Sequence, residues 1–109
     1  MRSAAEILRD EGITRAVDHA DAVHEQWSDR AFAMLIDYID LIGGSGNEFT
    51  SEMVRFYADS QGLPRPPDQR AWGAVMVRAA RSGVCKKIGW ATATDPRVHF
   101  NPVTLWEAT

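Results

Sequence analysis

Hydrophobic residues recur every three or four positions in three stretches of the chain, a spacing that predicts amphipathic helices. The first helix begins at residues 27–29, with Ser28 as its predicted N-cap, and ends at the glycine-rich turn 43–47. The second runs from Ser51 to Gln61 with Thr50 or Ser51 as its cap. Their apolar stripes predict the core-facing residues Phe32, Leu35, Ile36, Ile39 and Ile42 in the first and Met53, Val54, Tyr57 and Ala58 in the second.

The third predicted helix, from Asp68 to Ser82, has two different faces. It follows a proline-rich turn, Asp68 is its predicted cap, and Gly83 is placed to end it. At about 100° per residue, one side carries a core stripe and the other carries arginines around short side chains. The core side holds Trp72, Val75, Met76 and Ala79, and the other holds Arg70, Gly73, Ala74, Val77, Arg78 and Arg81. This positive, low-relief face suits close approach to a large anion.

Two short helices are predicted ahead of these three. The first, Ala4 to Glu11, is capped by Ser3 and ended by Gly12, and the second starts at a Thr14 cap. Neither is long or apolar enough to be stable alone. We therefore divide the chain into an N-terminal helical extension, 1–26, and a main domain, 27–109. The extension is expected to pack against the main domain or against a second copy.

The residues after the third helix predict a β-hairpin. Two stretches, residues 84–91 and 98–106, are rich in strand-forming residues and flank a polar tip at 92–97. Glu48 and Phe49 predict one short extended segment that pairs with another strand. Pro102 predicts an edge strand or a bulge. Trp90 and Trp106 are expected to pack the hairpin against the helices, and stacking on a nucleobase is the alternative. The fold class is mainly α with a C-terminal β-hairpin, in the order of a winged helix-turn-helix with an N-terminal helical extension.

Length and composition narrow the class of protein. A chain of 109 residues with one cysteine is a single domain without an internal disulfide. It shows no pattern of a signal peptide and no apolar run near 20 residues, so we predict a cytoplasmic protein without membrane contact.

Charge is divided unevenly along the chain. Residues 1–63 carry five arginines and twelve acidic residues, a net charge of −7, whereas residues 64–109 carry seven basic and three acidic residues, a net charge of +4. This division favours an acidic scaffold that presents a basic face to nucleic acid. The acidic half is a candidate surface for a homodimer or for a host or phage protein.

Duplex DNA is the predicted partner of the basic face. In a helix-turn-helix the second helix enters the major groove, and its N-terminal residues reach base edges. Arg70 is therefore the candidate for a base contact, and Gln69 could read an adenine. The full predicted DNA-binding set is Gln69, Arg70, Ala74, Arg78, Arg81, Lys86, Lys87 and Arg97. The alternative for this set is an ordinary solvated helix face.

Catalytic and metal chemistry are not predicted. His19 and His24 are five residues apart, about 140° around a helix, and cannot hold one ion together. No Ser-His-Asp order, phosphate loop or carboxylate pair stands out. We predict no enzyme, no metal and no cofactor. Cys85 is either activated by Lys86 or buried and inert.

The run FTSEMVRFYADSQGLPRPPDQRAWGAVMVRAARSGVCKKIGW, followed by VHFNPVTLW, resembles small winged-helix proteins of bacteriophages and prophages. Such proteins show a Gly-Leu-Pro turn, an Arg-Ala-Trp-Gly-x-Val helix opening, Ala-Ala-Arg-x-Gly before the wing, and Pro-Val-x-x-Trp. The stretch from Gly12 to Ala31 is also similar to them. The resemblance implies a winged-helix fold and a role in DNA binding or replication. A non-enzymatic protein-interaction module on the same fold is the alternative.

Overall fold

The computed structural model of the chain describes residues 4–92 and 102–109. Within these residues the chain is mainly helical, with a small antiparallel sheet of three strands. The helices are α1 (Ala4–Val23), α2 (Trp27–Leu41), α3 (Ser51–Ser60) and α4 (Ala71–Arg81), and the strands are β1 (Glu48–Thr50), β2 (Cys85–Thr92) and β3 (Pro102–Ala108). The structure confirms the predicted mainly-α class, the short extended segment that begins at Glu48, and the C-terminal hairpin.

The sheet has the order β1-β3-β2, so the hairpin strand β3 lies in its centre. Phe49 of β1 is opposite Trp106 of β3. β2 pairs with β3 from Cys85 to Thr92, with a register shift between Lys87 and Gly89. The expectation that Pro102 marks an edge strand is wrong. Pro102 is the first residue of the central strand, a position at which a missing N–H is tolerated.

Two tryptophans form the centre of the core between the helices. Trp27 and Trp72 are buried, and their rings meet edge to face with centroids 5.3 Å apart. The indole Nε1 of Trp27 donates a hydrogen bond to the carbonyl of Pro64 at 2.8 Å. This hydrogen bond links the start of α2 to the proline-rich turn. The predicted core position of Trp72 is confirmed.

The predicted apolar stripes are confirmed except at their margins. Leu35, Val54, Ala58, Val75, Met76 and Ala79 are buried, and Phe32, Ile39, Ile42 and Trp106 pack against them. Ile36 and Met53 are exposed, contrary to prediction. Trp90 was expected to pack against the helices, but it is 63% exposed.

The N-terminal segment forms one helix instead of two. The predicted stop at Gly12 is wrong, and α1 continues through it to Val23. A glycine inside a helix costs only about 1 kcal/mol, which tertiary packing can offset. At Gly12 the packing is close: an added Cβ would lie 2.8 Å from Nη1 of Arg70. α1 also contributes Ala16 and Ala20 to the core that it shares with the other helices.

The caps of the later helices follow the prediction in part. Thr50 caps α3, since its Oγ1 accepts a hydrogen bond from the backbone N–H of Met53, and Gly83 follows α4 with a φ of 77°. α4 begins at Ala71, three residues later than predicted. Asp68 caps a turn instead of the helix: its Oδ1 accepts a hydrogen bond from the backbone N–H of Arg70 at 2.9 Å.

The start of α2 is capped from the preceding helix. Ser28 is not the N-cap, because the helix already begins at Trp27 after Gln26 in the left-handed region. Instead, Oδ1 of Asp21 accepts from the backbone N–H of Ser28 at 2.8 Å, and its Oδ2 accepts from the Ser28 hydroxyl at 2.9 Å. One carboxylate on α1 thereby satisfies a free amide of α2 and sits at the positive end of that helix.

Replacing Asp21 with alanine is expected to destabilise the fold by about 0.5–2 kcal/mol, the usual cost of losing a capping acceptor. Ser28→Ala is the matched control, because it removes the hydroxyl contact and leaves the amide bond to Asp21. Urea denaturation of both variants measures the difference. A loss in Ser28→Ala equal to or greater than that in Asp21→Ala would contradict the capping role.

Candidate nucleic-acid interface

α4 contacts both α1 and α2, and its outward face is partly covered by α1. An added Cβ at Gly73 would lie 3.1 Å from Cδ1 of Ile13. The small residue therefore permits close packing of two helices at this point. The expectation of an open, low-relief face is wrong at Gly73.

A groove of about 570 Å³ lies between α1 and the outward face of α4. It is lined by Asp10, Ile13, Thr14, Ala74, Val77, Arg78, Arg81 and Ser82. Ala74 is half-buried on the α4 side of this groove. The two arginines belong to the last turn of α4, so the positive charge of the groove comes from the C-terminal part of the helix.

Arg78 joins α4 to α2. Its Nη1 lies 2.8 Å from Oδ1 of Asp29, and its guanidinium carbon lies 4.2 Å from the centroid of the Phe32 ring. Both members of the ion pair remain about half or more exposed to solvent. A phosphate that reaches Arg78 must therefore compete with Asp29.

Arg70 is held by its neighbour Asp68. Its Nη2 and Nε lie 2.7 and 3.0 Å from Oδ2 of Asp68. The side-chain hydrogen bond from Arg70, with a further one from its backbone amide, lowers the pKa of Asp68, and the same side-chain bond raises the pKa of Arg70. Arg70 stays charged, but its guanidinium is directed to a carboxylate in the turn before α4.

The lysines of the hairpin make weaker contacts. Lys86 lies opposite Glu107 in the ladder, with Nζ 3.4 Å from its carboxylate. Lys87 places its Nζ 4.0 Å from the centroid of the Trp90 ring. Both lysines are exposed, and exposed ion pairs exchange readily with solvent and other anions.

The predicted DNA-binding residues thus fall into three groups. Gln69 and Arg70 lie in the turn before α4, Ala74, Arg78 and Arg81 lie along α4, and Lys86 and Lys87 lie on β2. Gln69 and Arg81 are exposed. Arg97 lies outside the described residues. Contact of this set with DNA stays a prediction.

The sequence pattern does not show the contact made by Asp29 or the exposure of Trp90. Asp29 was interpreted only as a first-turn acid of α2, and its pairing with Arg78 depends on how two helices pack. Trp90 follows the register shift of β2, which changes the alternation that a regular strand would have. The loose alternation of residues 84–91 was the available signal for that shift.

Within the part of the chain that the structure describes, no group of three His, Cys, Asp or Glu side chains could hold a metal ion. None of the helices described is long and apolar enough to cross a membrane. Cys85 is buried, and burial raises the pKa of its thiol to about 11. The lowered pKa expected from Lys86 is therefore wrong, and the predicted burial of Cys85 is confirmed.

The raised pKa of Cys85 predicts a pH dependence of stability. The unfolded chain loses this proton near 9.0, whereas the folded protein keeps it to about 11. The folded state thus binds more protons in this window, and its free energy of unfolding falls as pH rises from roughly 9 to 11. Urea denaturation across this range should show a steeper fall for the native chain than for Cys85→Ala. Parallel curves for the two proteins would contradict the assignment.

Comparisons with known proteins add no identification. No protein family matches the chain, and no curated protein or solved structure is significantly similar to it.

Proposed function

We propose that the chain is a winged-helix DNA-binding protein of bacteriophage or prophage type. It would act in transcriptional regulation or replication initiation in the cytoplasm of a bacterial host. The observation that carries the proposal is the arrangement α2-β1-α3-α4-β2-β3 with the sheet order β1-β3-β2. A helix pair followed by a two-stranded ribbon is compatible with a winged helix-turn-helix, in which α4 would be the second helix and β2-β3 the wing.

The charge distribution supports the same proposal. The net charge of +4 in residues 64–109 belongs to the segment that contains α4 and the wing. Lys and Arg side chains on such elements neutralise phosphates and release counterions. The acidic half, residues 1–63, contains all of α1 and α2, and both helices contact α4.

The packing of α1 restricts how α4 can meet a duplex. Ile13 covers Gly73, so the whole outward face of α4 cannot lie in a major groove with α1 in place. Contact is then made from the C-terminal end of α4 and from β2. Arg81, Lys86 and Lys87 are exposed there, whereas Arg78 must first leave Asp29.

Fluorescence anisotropy with a labelled random duplex, titrated at several salt concentrations, tests the proposal. Binding at low salt that falls steeply as salt rises is expected, because each phosphate contact contributes about −0.9 to the slope of log K against log salt. Absence of binding at low salt would overturn the proposal.

A protein-interaction module on the same fold is the second candidate. Met53 and Phe56 lie three residues apart on α3, one turn of a helix, and both are exposed. Neighbouring apolar side chains of this kind occur at protein interfaces. A chain that fails to bind duplex but retains a host protein, with retention lost in Phe56→Ser, would favour this function.

A further inference from the structure

The four tryptophans of the chain differ sharply in exposure. Trp27 and Trp72 are buried at the core, and Trp106 packs against it, whereas Trp90 on the wing is 63% exposed. A side chain of this size gains most from burial, since apolar surface contributes about 25 cal/mol per Å² removed from water. The exposed ring therefore offers a large binding surface that the fold itself does not use.

The register of the hairpin sets the surroundings of Trp90. Trp90 lies opposite Thr104, and Lys87 lies opposite Trp106, two residues further along β3. Thr104 and Trp106 share one face of the strand, because alternate residues point to the same side. The extra residue between Lys87 and Gly89 consequently brings Lys87 and Trp90 to this same face, which agrees with the 4.0 Å from Nζ to the ring.

We propose that Trp90 is a stacking platform for an unpaired nucleobase, with Lys87 as a contact for the adjoining phosphate. The chain would then bind single-stranded or locally melted DNA through its wing. This inference rests on the proposed function and names the form of DNA that the wing recognises.

Charge and geometry favour a nucleobase over a protein side chain as the occupant. Lys87 lies beside the ring, with its Nζ 4.0 Å from the ring centroid, and Trp90 belongs to the half of the chain with a net charge of +4. An aromatic ring beside an ammonium group complements a polymer that alternates flat bases with phosphates. Every base has a π face, and stacking on one aromatic side chain contributes about 1–3 kcal/mol.

The position of Trp90 makes the inference directly measurable. Oligo-dT is the probe, because it carries unpaired bases and forms no duplex with itself. Titration into the native chain is expected to quench part of the tryptophan emission. The quenching should disappear in Trp90→Phe, which keeps an aromatic ring and should bind oligo-dT within about threefold of the native affinity. Trp106→Phe is the matched control and should retain the quenching.

Trp90→Ala removes the platform. Its affinity for oligo-dT should fall by roughly 5- to 150-fold, the equivalent of losing one stacked base, while its affinity for duplex DNA stays the same. Unchanged affinity for oligo-dT would overturn the inference. An equal loss on duplex DNA would also overturn it, because the ring would then act as a wedge or groove contact.

The two proposals can fail separately. Duplex binding that does not depend on Trp90 and no binding of oligo-dT would remove the stacking platform and retain the DNA-binding function. Binding of oligo-dT through Trp90 without any binding of duplex would support the platform and overturn duplex recognition.

Discussion

Replacing Trp27 with alanine should destabilise the protein by about 3–5 kcal/mol, the usual cost of removing a large aromatic side chain from a core. The ring is fully buried and packs edge to face on Trp72. Its loss leaves a cavity between α2 and α4 and leaves the carbonyl of Pro64 without its indole donor. Because a domain is stable by only about 5–15 kcal/mol in total, this variant should be close to unfolding at moderate temperature.

Trp90→Ala is the control for that experiment, since it makes the same substitution at an exposed site. Its effect on the free energy of unfolding should be within about 0.5 kcal/mol, as for most surface substitutions. Urea denaturation followed by far-UV circular dichroism measures both variants. Similar losses in the two would contradict the central position of Trp27 in the core.

Reversing two charges of the basic segment should have the largest effect on DNA binding. The double variant Arg81→Glu/Lys86→Glu alters the last turn of α4 and the start of the wing. A hydrogen bond to a charged group contributes about 1.5–3 kcal/mol, so loss of two phosphate contacts lowers affinity by at least roughly a hundredfold. The slope of log K against log salt should become shallower by about 2. Anisotropy with the duplex measures both quantities.

Arg9→Glu/Arg30→Glu is the matched control. It makes the same change in net charge on two exposed residues of the acidic half. It should lower the affinity for duplex DNA by much less than the Arg81→Glu/Lys86→Glu variant does. The slope of log K against log salt should remain almost unchanged. Equal losses in the two double variants would show a response to overall charge, and the basic segment would then have no specific role.

The parts of the fold that depend on local pattern were predictable from the sequence. The stripe of α4 identified Trp72, Val75, Met76 and Ala79 as core residues, and all four are buried. The Thr50 cap and the Gly83 stop follow from side-chain chemistry and backbone geometry within one helical turn.

The errors arose where a contact outside the helix concerned changes the local preference. Gly12 stops a helix in isolation, but α1 continues through it and packs against α4. Ser28 has cap chemistry, yet Asp21 on another helix performs the capping. Neither outcome follows from the pattern of a single helix, because each depends on how α1 packs against its neighbour.

The candidate site was predictable in composition and less so in arrangement. The positive residues were identified from charge alone. The contacts of these residues with carboxylates could not be predicted in the same way, because the pairing of Arg78 with Asp29 requires α2 and α4 to be adjacent. The position of Trp90 on the same face as Lys87 and Trp106 depends on a single extra residue in β2, which changes the face of every residue beyond it.

The central place of β3 in the sheet has a consequence for synthesis on the ribosome. β1 pairs only with β3, which follows every other described element in the chain. Phe49 is therefore translated long before Trp106, the residue opposite it, leaves the exit tunnel. The nascent chain can assemble its helices early, but it carries an unpaired strand edge until β3 emerges, and this interval is when association with chaperones or with other chains is most favoured.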